Sequence, residues 1–316
     1  MDTFLVLAPG PFTTVQDTGR IGFRHMGIPV SGALDSFSGR VANMLVGNAE
    51  DCALLESTIV GPQLAILSEA DIALTGAEMN AKLNYTPIET WKTIRVVPGD
   101  VLTLGQVKHG CRGYLAVSGG IAVPEIMGSR STYAGGKLGG YKGRCLEKGD
   151  IIRRGEGSLL GDSRQVPGKW IPKHPGQLTL RAIPGPQDDH FKAGLTTLFR
   201  SEFQVSSHAD RMGYRLEGPS IKHRENVSES IISEPIIPGG IQVPVDGQPI
   251  ILLLEQTVGG YTKIATVITP DLPKIAQAVP GDSIRFQEVN LETAHRIYAD
   301  NNKQINAIAA AIKGEK

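Results

Sequence analysis

The chain lacks most of the features that mark specialised classes of protein. Lys+Arg and Asp+Glu both number 32, so the formal net charge is zero. No basic run breaks that balance, and the electrostatic footprint that would hold a nucleic acid or an anionic membrane surface is missing. The first residues carry no basic segment ahead of an apolar one, and the longest apolar runs are far too short to span a bilayer, so the expected location is the cytoplasm. Cys52, Cys111 and Cys145 are scattered, which argues against a disulfide framework or a Cys-x-x-Cys metal site and predicts buried, reduced thiols. The seven histidines show no close pairing of the kind that binds zinc, and no metal site is expected.

Glycine and proline are plentiful, at 38 and 20 residues, and long helical periodicities are few. That combination predicts a mainly β fold of short strands and turns. Helices are expected over Ser36 to Asn48, capped by Asp35 or Ser36, and over Asp188 to Phe203. A short one is expected from Pro270 or Asp271, and a last one from Asn290 to about Ile312, with Asn290 as cap and an apolar stripe suited to docking or to a partner.

Several landmarks recur in order roughly 180 residues apart. Pro9-Gly10-Pro11 returns as Pro184-Gly185-Pro186, Gly22-Phe23-Arg24 as Gly213-Tyr214-Arg215, Leu55-Glu56-Ser57 loosely as Ile232-Ser233-Glu234, and Val97-Pro98-Gly99-Asp100 as Val279-Pro280-Gly281-Asp282. Such a series predicts an internal duplication giving two similar β-barrels, because closure removes the open edges of short strands. The expected division is residues 1–175, in which Gln106 to Gln177 extends the first copy and ends in a proline-rich linker, then 176–289, then a C-terminal helix over 290–316.

Four segments suit chemistry. In the first, Gln16, Asp17, Arg20, Ser31 and Asp35 crowd polar groups around Gly19, Gly22, Gly27 and Gly32, with a helix N-terminus behind Ser31-Gly32 that could receive an anion. In the second, glycines flank Arg130, Ser131 and Tyr133, a composition suited to holding an anionic group, although the Gly-Lys-Ser/Thr ending of a phosphate loop is absent. The third carries Gln242 and Gln248, uncharged groups suited to amide recognition. The fourth, Glu255 to Ile264, leaves the apolar run Ile250 to Leu254 and holds Gln256, Thr257, Gly259, Gly260, Tyr261 and Lys263. Taken alone, its Gly-Gly pair predicts a tight turn, while glycines there also permit close approach of a ligand.

The sequences TVQDTGR with GIPVSGALD, LAVSGG with GSRSTY, and GGIQVPVDGQPI with EQTVGGYTKIA resemble the carboxyltransferase subdomain A/B family over nearly the whole chain. That family takes in KipA proteins, the C subunit of 5-oxoprolinase, allophanate hydrolase subunit 2-like proteins and part of the urea carboxylase carboxyltransferase domain. The resemblance implies cyclophilin-like barrels. It implies a partner of the KipI or 5-oxoprolinase B-subunit type and a third, A-subunit-like lactam-utilisation protein, which together open 5-oxoproline to glutamate at the expense of ATP used by the complex. Two alternatives come with it: transfer of a carboxyl group to urea or another small amide from biotin carried on a different protein, and a non-catalytic KipA-type regulatory subunit. Within that chemistry Arg130 and Lys263 are the candidate charge stabilisers, and Asp17 or Asp35 the general base. Gln16, Gln242, Gln256 and Thr257 are candidate ligands of amide or carboxylate atoms, with Tyr261 on the substrate; Arg20, Ser31, Ser131, Tyr133, Gly259 and Gly260 complete the candidate binding set. Leu254 and Thr262 stand where much of the family has Asp and Pro.

Overall fold

A computed structural model describes residues 1–314. The chain divides into two compact units, one made of Met1–Arg20, Ser31–Lys173 and the chain from Gln304 on, the other of Ile21–Val30 and His174–Lys303.

The first unit contains β1 (Asp2–Ala8), β2 (Thr13–Gln16), α1 (Ser36–Leu45), β3 (Leu54–Thr58), β4 (Gln63–Ile66), β5 (Ala70–Glu78), β6 (Lys82–Leu83), β7 (Thr86–Pro87), β8 (Thr93–Val96), β9 (Val101–Thr103), β10 (His109–Val117) and β11 (Ile151–Arg153). They form two antiparallel sheets, ordered β11-β1-β4-β9-β6-β7 and β2-β3-β10-β5-β8. The pleat explains how one strand serves two cores. Leu115 and Val117 of β10 join Phe4, Val6, Leu64 and Ile66 in the core shared by the two sheets. Their neighbours Tyr114 and Ala116 face the opposite way, against Val41, Ala42 and Leu45 of α1. Strand β10 lies between β3 and β5, so residues 109–117 are a central strand of this unit and not an extension added to a finished copy.

The second unit contains β12 (Gln177–Pro184), α2 (Lys192–Arg200), β13 (Glu202–Ala209), β14 (Gly213–Glu217), β15 (Ser230–Pro235), β16 (Gly240–Val243), β17 (Ile250–Leu252), β18 (Val258–Val267), α3 (Leu272–Ala276), β19 (Ser283–Glu288) and the first turns of α4 (Leu291–Lys313). The order β12-β19-β13-β14-β17-β16-β18 returns to β12 through a β12–β18 pairing, which closes a seven-stranded ring; β15 is added along β18. Leu180, Phe203, Val205, Tyr214, Ile241, Ile251, Ile264 and Phe286 fill it.

α1 and α4 stand where capping and periodicity place them, whereas the span expected as one helix over Asp188 to Phe203 is a 3-10 turn at Asp188–Phe191 followed by α2, with Phe203 already on β13. Asp35 Oδ1 accepts from the Ser38 N–H at 2.9 Å at the start of α1, and Asn290 Oδ1 accepts from the Thr293 N–H at 2.9 Å at the start of α4. The apolar stripe of α4 docks: Ile305, Ile308 and Ile312 are buried with α1 and β10 in the first unit.

Two of the repeated landmarks correspond in structure. Asp100 accepts from the Val97 N–H and Asp282 from the Val279 N–H, both at 2.9 Å, and Gly99 and Gly281 have φ of 95° and 94°. Each turn hooks onto a neighbouring strand alike, through Gly99 N–H to Ile66 O and Gly281 N–H to Val205 O. At Gly10 and at Gly185 a Cβ would strike backbone of Val60 and of Lys263 respectively. The other two pairs do not correspond. Arg24–Met26 is a 3-10 turn whereas Gly213–Glu217 is a strand, and Leu55-Glu56-Ser57 lies inside a buried strand whereas Ile232-Ser233-Glu234 lies on the added one. Short glycine and aromatic patterns repeat by composition without sharing a backbone path. Of the cysteines only Cys111 is fully buried; Cys52 and Cys145 are partly exposed.

Candidate functional site

In the first unit the candidate residues gather around Asp17. Its Oδ1 accepts from the Gly19 N–H at 2.8 Å and from the Ser129 hydroxyl at 2.7 Å, and from the Ser131 hydroxyl. Oδ2 accepts from the Arg130 N–H at 2.5 Å. A carboxylate committed to four donors is an organiser of the 129–131 loop rather than an available proton acceptor. Arg20 is wholly buried. Its Nε donates to Ile126 O at 2.9 Å and its Nη2 to Ser131 O at 3.0 Å, while Nη1 has no partner among the described residues. Burial lowers the pKa of this guanidinium, opposed by the nearby Asp17. The Arg130 side chain pairs with Glu125, 3.2 Å distant, and is 42% exposed, so of these two cations it is the one open to a ligand.

Gln16 is buried and spends its amide on Thr14 Oγ1, Thr132 O and the Gly32 N–H. The anion site expected behind Ser31-Gly32 is already occupied by the protein's own groups. The Gly32, Ala33, Leu34 and Asp35 N–H groups donate to Gln16, Asp17, Glu56 and Tyr114, and the Asp35 carboxylate caps the helix through Ser38. Asp35 therefore stands apart from Asp17, in a buried group with Glu56, Arg112 and Tyr114 whose polar character the sequence does not announce. Burial, with Glu56 and Asp35 adding to it, raises the Tyr114 hydroxyl well above its ordinary value. Ser31 has φ of 55° and a buried hydroxyl without a partner among the described residues. Tyr133 packs its ring over Gly135 and Gly136.

In the second unit Gly259 and Gly260 are not a turn: they lie inside the ten-residue strand β18. The reason for glycine is close approach. A Cβ on Gly259 would lie 2.3 Å from Gln242 Nε2, and that amide donates to Tyr261 O at 3.4 Å. Gln242, Gln256 and Tyr261 line one cleft of about 500 Å³ with His208, Asp210 and Arg215. Gln256 is partly occupied by Val258 O at 2.9 Å, and Thr257 contributes its carbonyl to the Ile236 N–H.

Lys263 stands opposite Gln242 in the β16–β18 ladder. Its ammonium is buried against Glu234, and that ion pair holds the Glu234 carboxyl below the usual carboxylate range. Gln187 Oε1 accepts from the Lys263 N–H at 3.0 Å. Glu255 is likewise engaged, 2.5 Å from Arg211 Nε. Leu254 lies just past the end of β17 and is half-buried. Thr262 is fully buried and its hydroxyl meets His223 Nε2 at 2.7 Å, a partner that a proline could not supply. Glu234, Gln187, Arg211 and His223 come from elsewhere in the chain, and no local motif marks them. Among the described residues no cluster of His, Cys, Asp or Glu could hold a metal ion, and no helix is long and apolar enough to cross a membrane.

A mainly β chain with these motifs in these positions is of the carboxyltransferase class. Residues 26–288 match the family described as Carboxyltransferase domain, subdomain A and B, and the chain belongs to it. It is 39% identical over 314 residues to the C subunit of 5-oxoprolinase from Escherichia coli (strain K12), covering 98% of this chain and 99% of that one. It is 34% identical to urea amidolyase of Lachancea kluyveri, where it covers 96% of itself but only 18% of the relative. The solved urea carboxylase of Kluyveromyces lactis superposes with a TM-score of 0.91 at 34% identity, over 97% of this chain and 29% of that one.

Proposed function

We propose that the chain is the C-type subunit of a 5-oxoprolinase, acting with a KipI or B-subunit-type partner and an A-subunit-like protein on 5-oxoproline, with ATP consumed by the complex. The observation that carries this reading is the end-to-end match to a free-standing subunit, set against a match to under a third of the urea enzymes. The amide-bearing cleft of the second unit supports it. A lactam presents one carbonyl acceptor and one N–H donor, and Gln242 offers both complementary groups from a rigid position on Gly259. Lys263, balanced by Glu234, supplies an oriented dipole beside that cleft strand, and Arg130 an accessible positive charge in the first unit.

A second reading, carboxyl transfer to urea or a related amide from biotin on another protein, is favoured by the close superposition on urea carboxylase. Offering the assembled complex either 5-oxoproline with ATP, or urea with bicarbonate, ATP, a biotin carrier and a biotin carboxylase to charge it, separates the two. Glutamate formation with no urea-dependent ATP use supports the first, and the reverse pattern overturns it.

A further inference from the structure

A cleft of about 520 Å³ in the first unit lies among residues that the candidate site does not use. Val123, Ile126, Tyr141 and Ile151 line it with apolar groups, and Lys137, Lys142 and Arg153 with cations, beside the one carboxylate of Asp2. Arg153 is paired with Asp2 at 2.6 Å. Lys137 and Lys142 form no ion pair among the described residues.

The lysines are held in an unusual way. Both have left-handed backbones, with φ of 52° and 57°, a conformation that side-chain-bearing residues adopt at a cost and that tends to persist where function repays it. The winding is locked by glycines: a Cβ on Gly143 would lie 2.2 Å from Lys137 O, and one on Gly139 would lie 2.1 Å from Ser131 O and 2.6 Å from Arg20 Nη2. The buried guanidinium of Arg20 thus backs the cleft through Gly139 and Ile126, two of its lining residues. Tyr141 carries the Lys142 ammonium 5.1 Å from its ring centroid. The loop is preorganised, and it gathers positive charge: of the nearby carboxylates, Asp2 is ion-paired with Arg153, and Asp150, which feels the Lys142 charge, is ion-paired with Arg144.

We propose that this cleft binds a phosphorylated small molecule, with its dianionic phosphoryl group at Lys137 and Lys142 and its organic body against Tyr141 and Val123. Two unpaired cations match a phosphoryl dianion, whereas a single carboxylate would leave one of them unbalanced. The proposal is independent of the oxoprolinase reading, because binding is read on the isolated full chain.

The test is titration calorimetry in metal-free, low-salt buffer with ATP, ADP, inorganic phosphate and citrate as probes. At least one phosphate compound is expected to bind about tenfold more tightly than citrate, and Lys137→Gln with Lys142→Gln is expected to weaken it by about tenfold or more while thermal unfolding stays unchanged. Competition by inorganic phosphate alone would assign recognition to the phosphoryl group, and binding of ADP without phosphate would assign part of it to the organic body; both support the proposal. Silence from all three phosphate compounds, equal binding of citrate, or an affinity indifferent to the substitutions would overturn it. If the double variant unfolds, Lys142→Gln alone is read against the same criteria.

Discussion

The side-chain amide of Gln242 lies against the backbone of Gly259, on a neighbouring strand, so closely that a Cβ there would sit 2.3 Å from Nε2. The contact fixes the buried one of the two side-chain amides, Gln242 and Gln256, that line the cleft of the second unit. Gly259→Ala is expected to push Gln242 aside. It should cost about 1–3 kcal/mol of stability as an overpacked site and lower kcat/KM of the assembled complex by about tenfold or more. Thermal unfolding and steady-state kinetics measure the two effects. Full activity in a folded Gly259→Ala variant would remove the Gln242 amide from substrate recognition.

Asp17 and Arg130 separate structure from chemistry within one loop. Asp17→Ala removes an acceptor shared by four donors, and charge-assisted bonds of this kind predict a loss of about 2–4 kcal/mol in urea unfolding. Arg130 contributes to that network through its main chain, while its exposed side chain meets Glu125. Arg130→Ala is therefore expected to change stability by less than about 0.5 kcal/mol. A loss of turnover in that variant then reports on the guanidinium itself.

Much of this was readable in the sequence, and the remainder was not for definite reasons. Caps at Asp35 and Asn290, the docking stripe through Ile305 and Ile308, and the paired Val-Pro-Gly-Asp turns depend on residues a few positions apart, which local patterns report faithfully. The Gly259-Gly260 pair misleads because a glycine admitted by a glutamine on another strand has the same local signature as one required by a turn. The helix N-terminus behind Ser31-Gly32 looks open in sequence, since the groups that fill it, Glu56 and Tyr114, arrive from β3 and β10. Lys263 carries no hint of Glu234, which is set beside it only when β15 pairs with β18.

Asp271 gives the second unit a predictable acid sensitivity. Its carboxylate is fully buried, which by itself would raise its pKa. Hydrogen bonds from Arg181 and Lys274 outweigh that burial and hold it below the ordinary value. A depressed folded-state pKa means that the stabilisation is complete above the unfolded pKa and is lost as pH falls through the folded one. Asp271→Asn is expected to cost about 3 kcal/mol near neutral pH, because Arg181 is left without its carboxylate, and to flatten the fall in stability on acidification below about pH 4. Urea midpoints across an acid pH series measure this; an unchanged slope would assign the sensitivity to other carboxylates.

The decisive measurement is glutamate formation from 5-oxoproline with ATP, made on the chain combined with its A-subunit-like and B-subunit-like partners and again with this chain left out. Stoichiometric glutamate and phosphate are expected from the full set, and loss of glutamate formation on omission of the chain. Equal glutamate formation without it would contradict the assignment.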